Sequence, residues 1–206
     1  MQKFQAFAQP WWVNLLIIVP FVVYFLWRRK GLRLTWRQML ALSGFAVAFG
    51  FVEAAVVVYL RAAMGLLPGY QQGTFADVRR LSSSYQQGSS VAHFSHVLIT
   101  VELLREAATM VMLICVALLA AREARERWAS FFWAFAVWDI TYYAGLWALV
   151  RWPPSLKTVD VLFLIPTPWI AQVWYPLLVS ALTLAAIALV KVNMRAQGSD
   201  SIDSVR

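Results

Sequence analysis

Charged side chains are scarce in this chain of 206 residues: Asp, Glu, Lys and Arg together make up 14%, whereas 61% of the residues are hydrophobic. An average soluble domain carries about a quarter of its residues as charged side chains. Apolar runs close to the ~20 residues that cross a hydrocarbon core recur along the chain, which leaves no room for a separate water-soluble domain of ordinary size. We therefore expect an all-α integral membrane protein.

The sequence has almost no cysteine, and it lacks the pattern of basic and aromatic residues that is typical of nucleic-acid-binding proteins. Cys115 is the only cysteine, so a disulfide within the chain is excluded. The net charge is +8, but the Lys and Arg residues lie at the ends of apolar runs rather than along an aromatic groove. We expect the lipid bilayer, and no nucleic acid, as a partner.

Five apolar segments predict a bundle of about five transmembrane helices. They cover residues 11–27, 38–60, 91–121, 129–150 and 168–190. Three prolines between the last two segments, and a fourth at the start of the last, prevent a continuous helix there. The sequence VDVLFLIP in the same stretch is nevertheless too apolar to lie in water. We expect a re-entrant or interfacial segment at that place. Residues 1–192 would then form a single transmembrane domain, and the polar residues 193–206 a flexible cytoplasmic tail.

The distribution of basic residues predicts the orientation. Eleven Lys and Arg residues follow the first, third and fifth segments, whereas six lie on the opposite side. Because cytoplasmic loops carry the excess of Lys and Arg, the N-terminus is expected outside and the C-terminus in the cytoplasm.

Ionisable side chains lie inside these apolar segments, where each costs a few kcal/mol or more. Glu102 and Glu106 project about 40° apart from one helix face, and Arg105 lies about 60° from Glu102. Glu102 is expected near the outer surface of the membrane, and Glu53 of the second segment roughly 10 Å beneath that surface. If the second and third segments pack together, three carboxylates meet one guanidinium. The sequence therefore predicts an excess of acid in an outward-facing pocket.

Two other segments bear on this pocket. Ala46, Gly50 and Ala54 form a stripe of small residues beside Glu53, which would let another helix approach closely. On the fourth segment, Asp139, Tyr142 and Tyr143 share a helix face. An interhelical hydrogen-bond network and a functional acid both fit that second pattern.

The first functional hypothesis is a membrane enzyme or metalloprotein with a lipid-like substrate. Burial suits carboxyl groups to acid–base work. The candidate catalytic residues are Glu53, Glu102, Arg105, Glu106, Asp139, Tyr142 and Tyr143. A divalent metal is the cofactor that these residue types allow, with Glu53, Glu102, Glu106 and His96 as ligands. A regular helix, however, directs His96 about 120° away from Glu102.

Two other hypotheses remain open. In a transporter or proton pathway, Glu53, Glu106 and Asp139 would form a relay from the outer surface toward the middle of the membrane. In a non-catalytic subunit of a membrane complex, the buried charges would pair with another chain.

Three families share features with the sequence. WDITYY, followed by WPPS and DVLFLIPTPW, resembles a pattern in an uncharacterised family of bacterial multi-pass membrane proteins. That resemblance implies a bacterial plasma membrane and no function. The Trp content is similar to that of the porphyrin-binding tryptophan-rich sensory proteins, in composition alone. The spacing of Glu102 and Glu106 resembles the acidic pair of undecaprenyl-diphosphate phosphatases, but their Gly- and Ser-rich phosphate loop has no counterpart here.

Overall fold

The computed structural model of the protein describes residues 7–63 and 96–203, with side chains except at positions 63, 96 and 194–203. A 3₁₀ helix, Trp11–Ile18, continues into α1, Val19–Trp27, and is followed by α2, Trp36–Ala63, α3, His96–Ala120, and α4, Ala124–Val150. Two strands, β1, Val159–Phe163, and β2, Trp169–Gln172, precede α5, Trp174–Asp203. The described part of the chain is mostly helical, as expected.

Within these residues, three helices are long and apolar enough to cross a membrane: Trp36–Ala62 of α2, Val97–Ala120 of α3 and Trp174–Asn193 of α5. The 3₁₀ helix and α1 form a shorter apolar unit, Trp11–Trp27. Helix α4 is long but richer in polar and aromatic residues, and it packs against α2, α3 and α5. Contacts between helices accommodate such side chains, so α4 is suited to the middle of the bundle.

The most extensive contact between helices joins α2 and α4, and small residues make it close. Ala46 and Ala54 are fully buried, and a Cβ added at Gly50 would lie 2.7 Å from the carbonyl oxygen of Trp138. A Cβ added at Gly145 would lie 2.9 Å from the Cβ of Ala54. The small-residue stripe therefore receives α4. Direct contact between α2 and α3 is slight, which corrects the expectation that these two helices pack together.

A β-hairpin connects α4 to α5, and the sequence did not predict strands there. Strands β1 and β2 pair in antiparallel fashion, and Pro166 and Pro168 lie in the connection between them, where no ladder hydrogen bond is lost. Gln9 and Ile170 exchange backbone hydrogen bonds of 2.8 and 2.7 Å, so residues before the 3₁₀ helix add to the free side of β2. This pairing reduces the open sheet edge, which is costly in an apolar environment.

The bounds of α4 and α5 differ from those of the predicted segments. Helix α4 begins at Ala124, earlier than expected, and its first turn contains Arg125 and Glu126, whose side chains pair at 3.0 Å. Helix α5 begins at Trp174 because residues 169–172 belong to β2. It remains helical to Asp203, so position 192 does not mark a helix end, and the flexible cytoplasmic tail stays a prediction.

Replacing Gly50 with Ala should destabilise the protein by about 1–3 kcal/mol, the usual cost of overpacking a close contact. The added Cβ would overlap the Trp138 carbonyl oxygen. Gly44→Ala is the matched control, since a Cβ there meets nothing within 4 Å; it should be neutral or stabilising by up to ~1 kcal/mol through helix propensity. The thermal unfolding midpoint of the detergent-solubilised protein measures both effects. Equal midpoints for the two variants would contradict a close α2–α4 contact.

Candidate functional site

Arg105 of α3 lies between carboxylates from two helices. Its Nη1 forms an ion pair with Oε2 of Glu53 on α2, while Nε and Nη2 donate hydrogen bonds of 3.0 and 2.5 Å to Glu102 on α3. The other oxygen of Glu53 accepts a hydrogen bond of 2.9 Å from the hydroxyl of Thr109. All three guanidinium nitrogens are therefore engaged, and one cation is shared by two carboxylates.

Glu106 holds the hairpin and has no direct bond to Arg105. Its two oxygens accept hydrogen bonds of 3.1 and 2.8 Å from the backbone N–H of Leu164, the residue that follows β1. The backbone N–H just beyond a strand needs an acceptor, and this carboxylate supplies it. Glu106 thus fastens the hairpin to α3.

Asp139 of α4 keeps part of its acceptor capacity unused. Ser180 of α5 donates a hydrogen bond of 2.8 Å to its Oδ2, whereas its Oδ1 accepts none from the residues that the structure describes. Asp139 is nevertheless only 8% exposed. The hydroxyl of Tyr142 also has no hydrogen-bond partner within the described part of the chain. These two groups are therefore available to a ligand.

Tyr143 contacts the hairpin instead of Asp139. Its hydroxyl donates a hydrogen bond of 2.8 Å to Oδ2 of Asp160 on β1, and Oδ1 of Asp160 accepts another of 2.8 Å from the backbone N–H of Val161. Asp160 is only 1% exposed, and this burial raises its pKa to about 6, against the lowering effects of Tyr143 and Arg61. Asp160 was not among the predicted site residues, although an acid inside the apolar run VDVLFLIP was a usable signal.

A cavity of about 90 Å³ lies among these side chains, and we call it the polar chamber. A single water needs roughly 10–15 Å³ measured in the same way, so the chamber has room for several waters or a small polar group. Its ionisable and phenolic walls are Glu53, Glu102, Arg105, Glu106, Asp139, Tyr142, Tyr143 and Tyr175. Its remaining aromatic walls are Phe135, Trp138, Phe163 and Trp169.

A second cavity, of about 540 Å³, adjoins the first, and we call it the apolar cavity. Its walls are apolar except for Glu106, Ser180 and Thr183. The apolar members of the wall include Leu16, Val19, Ala107, Met110, Phe131, Phe132, Ala136 and Ile165. Residues from α3, α4, α5 and the hairpin line both cavities, among them Glu106, Phe135, Phe163, Trp169 and Ser180. The two spaces therefore adjoin, one with mainly polar and the other with mainly apolar walls.

The structure brings all seven candidate catalytic residues to the wall of the polar chamber. Their chemical roles stay predictions. Sequence reasoning missed Thr109, although it lies four residues after Arg105 on the same helix. It also missed Ser180, for which no signal was available, because its contact with Asp139 requires the packing of α5 on α4.

The described residues give no support to the hypothesis of a metal centre. Among them, no group of three or more His, Cys, Asp and Glu side chains could hold a metal ion. Of the four candidate ligands, Glu53 and Glu102 contact Arg105, and Glu106 contacts a backbone N–H. The side chain of His96 lies outside the described part of the chain.

Comparison of this chain with protein-family models, with curated proteins and with solved structures found no match. Its resemblance to a bacterial membrane protein family therefore stays a prediction. Function has to be inferred from the side chains and cavities themselves.

Arg105→Met should destabilise the protein by about 3 kcal/mol, because it leaves two buried carboxylates without their cation. Adding Glu53→Gln and Glu102→Gln to that variant should recover part of the loss, since neutral side chains no longer need compensation. Thermal unfolding midpoints in detergent compare the single and the triple variant. A triple variant no more stable than Arg105→Met would contradict the view that Arg105 serves to neutralise these acids.

Asp160 should make the protein less stable as the pH rises from about 4 to about 6. Burial raises its pKa in the folded state to about 6 from the usual 3.8, so the folded state binds more protons than the unfolded state in this window. The loss is at most roughly 3 kcal/mol, and it levels off above the folded-state pKa. Asp160→Asn cannot titrate, so its unfolding midpoint should depend less on pH across this range. Parallel pH profiles for the two proteins would contradict this assignment.

Proposed function

We propose that this chain is an integral membrane protein that binds an amphiphilic, lipid-like molecule. The polar end of that molecule occupies the polar chamber, and its apolar end occupies the apolar cavity. The observation that supports the proposal is the shared wall: Phe135, Phe163 and Trp169 line both cavities, so a polar and an apolar space lie side by side. Ligand sites typically combine an apolar cavity with a few convergent polar groups.

The apolar cavity lies where a membrane ligand can enter. Ala107 of α3 and Ile165 of the hairpin both line it and are both exposed at the protein surface. Helix α3 is apolar enough to span a membrane, and its exposed face would then contact lipid. An amphiphile in the bilayer would therefore enter the cavity laterally from the lipid, and its apolar end would not pass through water.

The proposal includes the membrane arrangement expected from the sequence. All five helical units cross a bacterial plasma membrane, α4 and Trp11–Trp27 included, with the N-terminus outside and the C-terminus in the cytoplasm. The excess of Lys and Arg after the first, third and fifth units supports this orientation. The polar chamber then lies in the outer half of the membrane, beneath the hairpin.

Chemistry on the bound molecule would fall to Asp139. Glu53 and Glu102 are occupied by Arg105, and Glu106 is occupied by the hairpin. Asp139 has an oxygen open to a ligand, with the Tyr142 hydroxyl one helical turn away. A lipid-substrate membrane enzyme would therefore use Asp139 as its proton donor or acceptor.

A proton pathway has less support from these contacts. The relay would have to continue from Asp139 toward the other membrane face, and its only described hydrogen bond leads to Ser180. The next hydroxyl on α5, that of Thr183, donates to the carbonyl oxygen of Val179 on its own helix. This contact does not extend the chain of polar groups across the bundle.

Ala107→Trp should expel the ligand, because an indole added at the rim fills part of the apolar cavity. Ala108→Trp is the matched control: Ala108 is the adjacent exposed alanine of α3 and does not line either cavity. Mass spectrometry of solvent extracts from the purified proteins measures the bound amphiphile. We expect about one per chain in the wild type and in Ala108→Trp, and less than a tenth of that in Ala107→Trp.

Two outcomes would contradict the proposal. One is an Ala107→Trp protein that retains as much amphiphile as Ala108→Trp. The other is a wild-type protein that carries no stoichiometric amphiphile even after incubation with a total lipid extract of its expression host.

A further inference from the structure

We infer that the polar end of the bound amphiphile is a cationic ammonium group, and that Asp139 and a cage of aromatic rings recognise it. The inference rests on the proposed function and specifies the chemical class of its ligand. It requires that the chamber reject an anionic group, that it offer a free acceptor, and that its walls suit a cation.

The charges of the polar chamber disfavour an anion. Four carboxylates line it, from Glu53, Glu102, Glu106 and Asp139, and Arg105 is the one basic residue among the described residues of the wall. The acidic groups of the chamber therefore outnumber its basic group. A phosphate or sulfate placed there would be repelled at short range in surroundings that screen charge poorly.

The guanidinium of Arg105 is also unavailable to an anion. The three guanidinium nitrogens of Arg105 are engaged by Glu53 and Glu102, so the bidentate fork that usually holds a phosphate is occupied. The indole Nε1 atoms of Trp138 and Trp169 are buried, so these rings present carbon surface to the chamber.

An acceptor, by contrast, is available. Oδ1 of Asp139 accepts no hydrogen bond from the described residues, although the side chain is more than nine-tenths buried and lines the chamber. Ser180 fixes the carboxylate through its other oxygen. An ammonium group of the ligand would give this oxygen the charged hydrogen-bond donor that the described residues do not supply.

Five aromatic rings line the same chamber as this acceptor, and aromatic rings suit a cation. Trp138 lies 5.4 Å from Phe135, 6.1 Å from Tyr142 and 6.3 Å from Phe163, measured between ring centroids, and Phe163 lies 5.4 Å from Trp169. All five rings line the polar chamber. Aromatic faces attract cations, and cages of such rings bind ammonium groups. Three of the five rings, those of Phe135, Phe163 and Trp169, also line the apolar cavity, which leaves room for an apolar tail on the ligand.

Binding of matched single-chain probes tests the inference. Octyltrimethylammonium and octyl sulfate carry the same tail and opposite charges, and each can be titrated into the full-length protein in a neutral maltoside detergent. We expect the cation to bind at least tenfold more tightly than the anion, as measured by the rise in unfolding midpoint with probe concentration. Asp139→Asn should weaken cation binding by tenfold or more.

Glu126→Gln is the control, because Glu126 is a buried carboxylate that lines neither cavity; it should change cation affinity less than threefold. Should Asp139→Asn fail to fold, Tyr142→Leu is the second variant, because it removes one of the aromatic rings. It should weaken binding of the cationic probe and leave binding of octanol unchanged. Equal affinity for cation and anion, or a cation affinity untouched by both variants, would overturn the inference. In that case the Ala107→Trp experiment would still test the proposed function separately, since binding of the apolar tail does not depend on the charge of the head group.

Discussion

The guanidinium of Arg105 is the interaction on which the candidate site depends. It joins Glu53 of α2 to Glu102 of its own helix, and it does so although α2 and α3 have little direct contact. Charges inside an apolar bundle have to be compensated locally, because neither lipid nor protein interior solvates them. One cation serving two acids meets that requirement for Glu53 and Glu102, and it leaves none for Asp139. The free acceptor of the site therefore follows from the way in which the other charges are paired.

The hairpin completes the site through a similar need to satisfy buried polar groups. Its backbone is bonded on one side to Gln9 and, at the end of β1, to the carboxylate of Glu106. Backbone groups without such partners would be costly in apolar surroundings. Once fastened there, the hairpin brings Phe163 and Trp169 to the walls of both the polar chamber and the apolar cavity. The residues that close this end of the bundle thus also form the wall that both cavities share.

The compensation of charge by Arg105 and the bonding of the hairpin backbone give the acidic residues different roles. Glu53, Glu102 and Glu106 hold helices and hairpin in position, and Asp160 anchors Tyr143 to β1. Asp139 remains the acid that combines burial, a fixed orientation from Ser180 and an open oxygen. A rigid polar group beside aromatic carbon surface is the arrangement that amphiphilic ligands require. The proposed function and the proposed ammonium head group both follow from this division.

The sequence by itself determined the apolar, mostly helical character of the chain, the acid excess near Arg105 and the small-residue stripe on α2, because hydropathy and helical periodicity are local properties. Tertiary structure alone decided which helix fills that stripe, since Gly50 could receive any neighbour and receives α4. It also decided that Glu106 bonds Leu164 and that Asp139 bonds Ser180. The segment expected to be re-entrant or interfacial forms a β-hairpin, and its position relative to a membrane stays a prediction. Partners 41 and 58 residues apart in the chain are chosen by packing, and helical spacing carries no information about them.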